Sequence, residues 1–359
     1  MNSSGIIRYR LYNQHLSARH FTDAADVVRY MGAVQAQDFA AAKWALGLRL
    51  DNNTDNDIEG AFNNGTILRT HLMRPTWHFV APGDIRWLLA LSAPRVKAQC
   101  AFGYRQCSLD DTIFKRSNKV LTKALSGGKH LTRDQLIPVF QKAGIATNEL
   151  RLIHLMMRAE LDGIVCSGPR TGKQFTYALL EERVPPAKTL SREEALAKLA
   201  KQYFTSHGPA TLQDFAWWSG LTMTDSKAAL KMIATEFISE KIGEQEYWFS
   251  SSLQDPKTPP GQALLLPNYD EYIISYKDRS NLVDPKANVV LDSRGNVIFN
   301  HTILLNGKIA GTWKRTVLKN SVELNITPFI KLNKAQHAAI NTAAKLYGTF
   351  INKTAVLVS

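Results

Sequence analysis

Cysteine is scarce: Cys100, Cys107 and Cys166 are the three thiols in 359 residues. An odd number without close pairs excludes a disulfide framework and a structural zinc site, so they read as packing residues in a reducing compartment. Long apolar runs are missing too: no stretch of about 18 such residues occurs, so no membrane span is expected. Residues 1–10 lack an apolar core and a small-residue cleavage site, which argues against secretion. Blocks of about five like charges are absent, so charge must be presented by a folded surface. His15, His20, His130, His154, His207, His301 and His337 show no metal-ligand spacing, and neither a metal nor another cofactor is expected.

What is present is the make-up of a folded chain: 45% hydrophobic and 21% charged residues, enough for several units with a real core. Lysine and arginine exceed the acids by enough to leave a formal net charge of +13. That excess favours a polyanionic partner, although a merely basic protein carries it as well.

The middle of the chain repeats a pattern. Residues 119–125 are helical and stop at Gly127-Gly128; Thr132 caps a helix carrying Leu136, Ile137, Val139 and Phe140; Gly144 ends it, and Asn148 to Leu161 is a longer amphipathic helix. A hairpin follows, from Gly163-Ile164-Val165-Cys166 through Arg170 and Lys173 to Phe175–Leu179. Helix, helix, helix, hairpin is the winged-helix order, and it returns about 80 residues later. There Glu193 to Phe204, the Thr211-capped helix with Phe215, Trp217 and Trp218, and Asp225 to Ile238 precede a hairpin at Lys241-Ile242-Gly243 and Tyr247-Trp248-Phe249. A looser version opens the chain: Thr22-Asp23 caps Ala24 to Met31, then come helices at Phe39–Leu50 and Asp57–Asn63, and strands at Ile67–Thr70 and Trp77–Val80.

Beyond a linker at Pro256–Gly261, short strands take over: Leu264–Leu266, Val289–Leu291, Val297–Asn300, Thr302–Leu305, Ile309–Trp313, Val317–Val322 and Glu323–Thr327. Arg294-Gly295-Asn296 and Asn306-Gly307 are hairpin signals, and Lys334 to Tyr347 is a terminal helix. The expected fold is α+β: three tandem winged-helix motifs (1–115, 116–187, 188–258) followed by a C-terminal β-barrel-like domain (259–359).

Val34-Gln35-Ala36-Gln37-Asp38 falls between two helices. If the backbone there is extended, Gln35 and Gln37 converge on one side; in a helix they would diverge, and polar loop glutamines are the plainer reading. Asp38 reads as the N-cap of the helix starting at Phe39, or as a carboxylate in its own right. Leu68 to His78 places Arg69, His71, Arg74, Trp77 and His78 on a tight hairpin, suited to phosphates and base faces or to a solvated strand with Trp77 in the core. Arg170 and Lys173 sit at a wing tip where they could meet phosphate. The glycine spacing from Gly168 to Gly172, with Gln174 where a magnesium-holding hydroxyl belongs, excludes a P-loop. Asn268-Tyr269-Asp270-Glu271-Tyr272 is followed by Lys277-Asp278-Arg279, so Asp270 either orients Arg279 toward DNA or forms a structural ion pair. Gly311-Thr312-Trp313-Lys314-Arg315 is a basic, aromatic strand end.

Taken in order, Gln35–Asp38, Leu68–His78, Leu265-Leu266-Pro267-Asn268-Tyr269-Asp270 and Gly311–Lys314 resemble the winged-helix DNA glycosylases of the AlkZ and YcaQ type. The resemblance covers nearly the whole chain. It implies a concave, basic DNA cleft, excision of alkylated purines and unhooking of interstrand crosslinks. The family signature is Gln, an aliphatic residue, then Gln or Asp; Gln35 and Gln37 match its two-glutamine branch, with Ala36 smaller than the usual aliphatic residue. The expected catalytic pair is thus Gln35 and Gln37. Arg69, His71, Arg74, His78, Arg170, Lys173, Tyr269, Arg279 and Lys314 are the expected DNA contacts. The partner is double-stranded DNA bearing alkylated bases or crosslinks, bound by a cytoplasmic, nucleoid-associated monomer. A non-enzymatic winged-helix regulator or lesion binder fits the same charge and repeats; a regulator would select a particular duplex sequence, whereas a glycosylase would prefer damage. A nuclease would need a carboxylate or histidine cluster, and none is visible.

Overall fold

Local capping chemistry sets many element boundaries. In the computed structural model, which describes residues 2–148, 150–251, 256, 261–283 and 299–358, Asp23 accepts from the Ala25 N–H (2.6 Å) and opens the helix Ala24–Met31. Thr132 and Gln135 close a reciprocal capping box ahead of Arg133–Lys142, and the Thr211 hydroxyl accepts from the Asp214 N–H (3.1 Å) at the start of Leu212–Ser219. The result is a mixed α+β fold, and among the described residues no helix is long and apolar enough to cross a membrane.

The chain divides into two compact units. The first comprises Met1–Glu59, Ala197–Trp218 and Thr222–Ser359. Its C-terminal part is a curled, half-barrel sheet of five strands in the order Thr354–Val358, Ser321–Pro328, Lys308–Val317, Thr302–Leu305, Ala263–Leu266. The Asn306-Gly307 turn forms as expected, with both residues at positive φ (51° and 78°). The strand expected at Val317–Val322 breaks into the end of one strand and the start of the next. Thr354–Val358, parallel to Ser321–Pro328, was not anticipated. The strand and turn expected at Val289–Leu291 and Arg294-Gly295-Asn296 lie outside the described residues, as do most of the linker and the start of the Val297–Asn300 strand; Phe299 and Asn300 are not in a strand. Trp44, Trp218, Trp313, Tyr203, Tyr272 and Tyr276 are fully buried in this unit. Such indoles need polar partners: Trp44 Nε1 donates to the Leu265 carbonyl (2.7 Å) and Trp313 Nε1 to the Leu266 carbonyl (2.9 Å).

The second unit comprises Gly60–Leu196 and Ser219–Leu221. It holds the hairpin Leu68–Leu72/Thr76–Val80, the hairpin Val165–Ser167/Thr176–Leu179, and a core built on Leu121, Leu125, Leu136, Phe140, Leu152 and Leu155. Its longest element, Pro82–Gln106, was not among the elements expected from sequence, and it carries Pro94 and Gly103, which locally oppose a helix, in its interior. Its buried face, including Ile85, Leu88 and Val96, overrides those local signals. Gly103 is needed for close approach: a Cβ there would lie 2.8 Å from the His154 ring on the helix Leu150–Leu161.

Candidate active site

In the first unit, Val34 and Gln35 are extended and Gln37-Asp38 form a bend before the helix Phe39–Gly47. Asp38 takes the capping role: its carboxylate accepts from the Ala41 N–H (3.0 Å). Gln37 is exposed, whereas Gln35 is only 7% exposed.

The loop is held by an acid that sequence reasoning left without a role. The Gln35 N–H donates to Glu271 Oε1 (2.6 Å), while Glu271 Oε2 accepts from Trp218 Nε1 (3.0 Å) and the Ser275 hydroxyl. Burial opposes ionisation of Glu271, but nearby His207, the Ser275 hydroxyl and the Gln35 amide outweigh it and hold the carboxyl down to about 2. Next to it, Asp270 meets Arg49 in a two-pronged pair, 2.9 Å on each arm, and caps the short helix Glu271–Ile274. Arg49 also donates to Gln14 (2.8 Å). Of the two roles open to Asp270 the structural ion pair is the one observed, with Arg49 as the cation; Arg279 Nε donates instead to the Ile273 carbonyl (2.8 Å), with its guanidinium 5.7 Å over the Trp217 ring. The reason is burial, because a fully enclosed carboxylate needs a fully enclosed cation and Arg279 is half-exposed.

The other motif blocks of this unit meet around His301. The Asn268 N–H donates to His301 Nδ1 (2.9 Å), and the His301 ring lies 4.9 Å from that of Trp313. Burial and Arg315 push His301 down to about 4, against the pull of Asp38, so the ring is neutral with its proton on Nε2. Tyr269 adopts positive φ (59°), with its ring 5.9 Å from that of Phe299. Lys314 is exposed on its strand.

The hairpin residues belong to the second unit, and burial sorts them in a way their residue types do not. Arg69 (7% exposed), His71 (9%) and His78 (0%) are closed off, whereas Arg74 is half-exposed beside the exposed Pro75 at the tip. His71 Nδ1 pairs with the fully buried Glu160, and His78 Nδ1 lies 3.0 Å from the Thr76 carbonyl. In the other hairpin Lys173 is exposed, and Arg170 is half-exposed with its guanidinium 5.0 Å over Phe175 and bonded to the Lys173 carbonyl (2.7 Å). Among the described residues no His, Cys, Asp and Glu cluster could hold a metal ion. Glu160 and Glu271 were both missed. Glu160 had one legible signal: an acid set on the apolar face of Leu152, Leu155, Met156 and Ala159.

The chain belongs to the AlkZ-like DNA glycosylase family, whose model matches residues 28–350. It is 24% identical over 343 residues, 90% of each chain, to a Streptomyces sahachiroi protein described as an interstrand DNA cross-link repair glycosylase. Its fold is similar to the solved structure of the Streptomyces sahachiroi DNA glycosylase AlkZ, with a TM-score of 0.77, 17% identity and complete coverage of both chains.

Proposed function

We propose that the protein is a monofunctional DNA glycosylase of the two-glutamine branch. It hydrolyses the glycosidic bond of cationic, alkylated purines, including those in interstrand crosslinks, and leaves an abasic site. A purine alkylated on its seven-position nitrogen is already a good leaving group, so the remaining task is to place and polarise one water beside the anomeric carbon. The side-chain carbonyls of Gln35 and Gln37 accept that water's protons in hydrogen bonds, and their NH₂ groups hold sugar or phosphate. An amide is not a useful base, so undamaged, uncharged bases stay intact. The observation that carries this reading is the Gln35 N–H held on Glu271, which fixes the extended segment from which Gln37 reaches solvent.

The scaffold in this reading is three winged-helix segments, 1–115, 116–187 and 188–258, with the sheet of 259–359 after them, and the protein works as a monomer. Arg74, Arg170, Lys173, Tyr269, Arg279 and Lys314 contact DNA directly; the more enclosed Arg69, His71 and His78 shape the hairpin that reaches it. The description of the Streptomyces relative supports crosslinks as substrates.

The test is to incubate purified protein with duplex carrying a 7-methylguanine or a nitrogen-mustard crosslink, then treat it with heat or alkali and run denaturing electrophoresis. Strand breaks should appear at the lesion. Gln35→Ala and Gln37→Ala should each lower single-turnover excision about 100-fold or more while DNA affinity holds. Full excision by both variants would overturn the assignment of the pair.

A further inference from the structure

Glu160 ends the apolar face of the helix Leu150–Leu161 and is 0% exposed. Its Oε2 is engaged by His71, through Nδ1 and through the backbone N–H at 3.3 Å, while Oε1 has no hydrogen-bond partner. A buried carboxylate oxygen without a donor is unfavourable, and a ligand could supply one. Glu160 lines a cavity of about 370 Å³, together with Arg69, Trp77, Phe175, Arg133 and Lys173. The guanidinium of Arg69 lies 4.2 Å over the Trp77 ring and 4.7 Å over the Phe175 ring. A guanidinium is flat, delocalised and weakly hydrated, which is why it rests on aromatic faces. Arg133, Asp134 and Lys173 are exposed, so the cavity joins a buried acid and two aromatic faces to a rim of two cations and one acid.

We propose that this cavity receives a purine nucleotide alkylated at N7, and that the Arg69 guanidinium keeps the base's place until it arrives. Such a base is flat and cationic and carries N–H donors on its pairing edge. Trp77 and Phe175 take its face, Glu160 Oε1 accepts an edge N–H, and Arg133 and Lys173 take the phosphate. A neutral purine lacks the charge that the acid and the rings reward, and a guanidinium alone leaves the rim unused. Choosing an alkylpurine among flat cations rests on the glycosylase reading above; the charge layout of the cavity does not.

The experiment titrates the full chain with 7-methylguanosine 5′-monophosphate, at a pH where N1 keeps its proton, following tryptophan fluorescence and heat. Binding should be about tenfold tighter than for guanosine 5′-monophosphate. Glu160→Gln and Trp77→Leu should each abolish that preference; thermal melts check folding, and if Glu160→Gln melts early, Trp77→Leu at its half-exposed position carries the test. Arg69→Ala should strengthen binding, because the resident cation is gone, whereas a residue that only gripped phosphate would weaken it. Equal affinity for the two nucleotides, or weaker binding by Arg69→Ala, overturns the proposal. Excision of 7-methylguanine from duplex by the same preparation separates the two ideas. Excision without nucleotide preference removes the cavity's role and keeps the glycosylase, while preference without excision does the reverse.

Discussion

Glu271 in the first unit and Glu160 in the second are both closed to solvent, yet they are partnered differently. Glu271 has both oxygens engaged, by the Gln35 N–H on one side and by Trp218 and Ser275 on the other, and beside it Asp270 is gripped by Arg49. Glu160 spends one oxygen on His71, its other oxygen has no hydrogen-bond partner, and the residue lines a cavity. A buried acid with both oxygens committed behaves as scaffold: it rigidifies the loop it holds and has little left for a ligand. A half-committed acid in the wall of a cavity is the arrangement expected of a binding group.

The largest effect that tests this contrast is the loss of the Arg49 partner. Asp270→Ala leaves a guanidinium buried without its counter-charge, so the protein should lose about 3–5 kcal/mol in urea unfolding. A loss well under 1 kcal/mol would mean Arg49 finds other acceptors and the first unit is not charge-locked. Acid titration comes next. The Glu271 carboxyl is lowered from 4.5 to about 2. Its folded pKa thus lies below its unfolded one, so its contribution, on the order of 3 kcal/mol, is complete above about pH 5 and fades as pH falls toward 2. Unfolding followed across that range should show a stability drop for the parent that Glu271→Gln lacks; identical acid limbs would break the comparison.

Smaller effects sharpen it. Asp38→Ala removes the cap of Phe39–Gly47 and should cost about 1 kcal/mol of stability by thermal denaturation. Asp38→Asn keeps an acceptor and should retain both stability and excision rate, whereas a large drop in rate would make Asp38 a working carboxylate instead of a cap. Glu160→Gln should be milder still, below about 1 kcal/mol, because one of the two oxygens it alters has no bond to lose. If it proved as harmful as Glu271→Gln, Glu160 would be scaffold after all.

Much of the fold was legible because its signals are short-range. Asp23, Asp38, Thr132 and Thr211 act on backbone N–H groups within three residues, and Asn306-Gly307 makes a turn from its own conformational preferences. The long helix Pro82–Gln106 was not legible, because its interior proline and glycine argue locally for a break while the packing of its apolar face argues otherwise. The closing strand Thr354–Val358 pairs in parallel with a strand that only the folded chain brings beside it.

The candidate site divides the same way. Two glutamines between helices, a cationic hairpin and a surplus of positive charge are properties of the chain itself; the family was named by the resemblance of four motif blocks taken in order, Gln35–Asp38, Leu68–His78, Leu265–Asp270 and Gly311–Lys314. Which cations are enclosed, which acid meets Arg49 and which carboxylate keeps a free oxygen depend on residues far apart in sequence; Arg49 and Asp270 are separated by 221 positions. Burial sets the strength of an ionic contact and the number of partners it requires, and burial is a property of the assembled core that no local stretch of sequence carries.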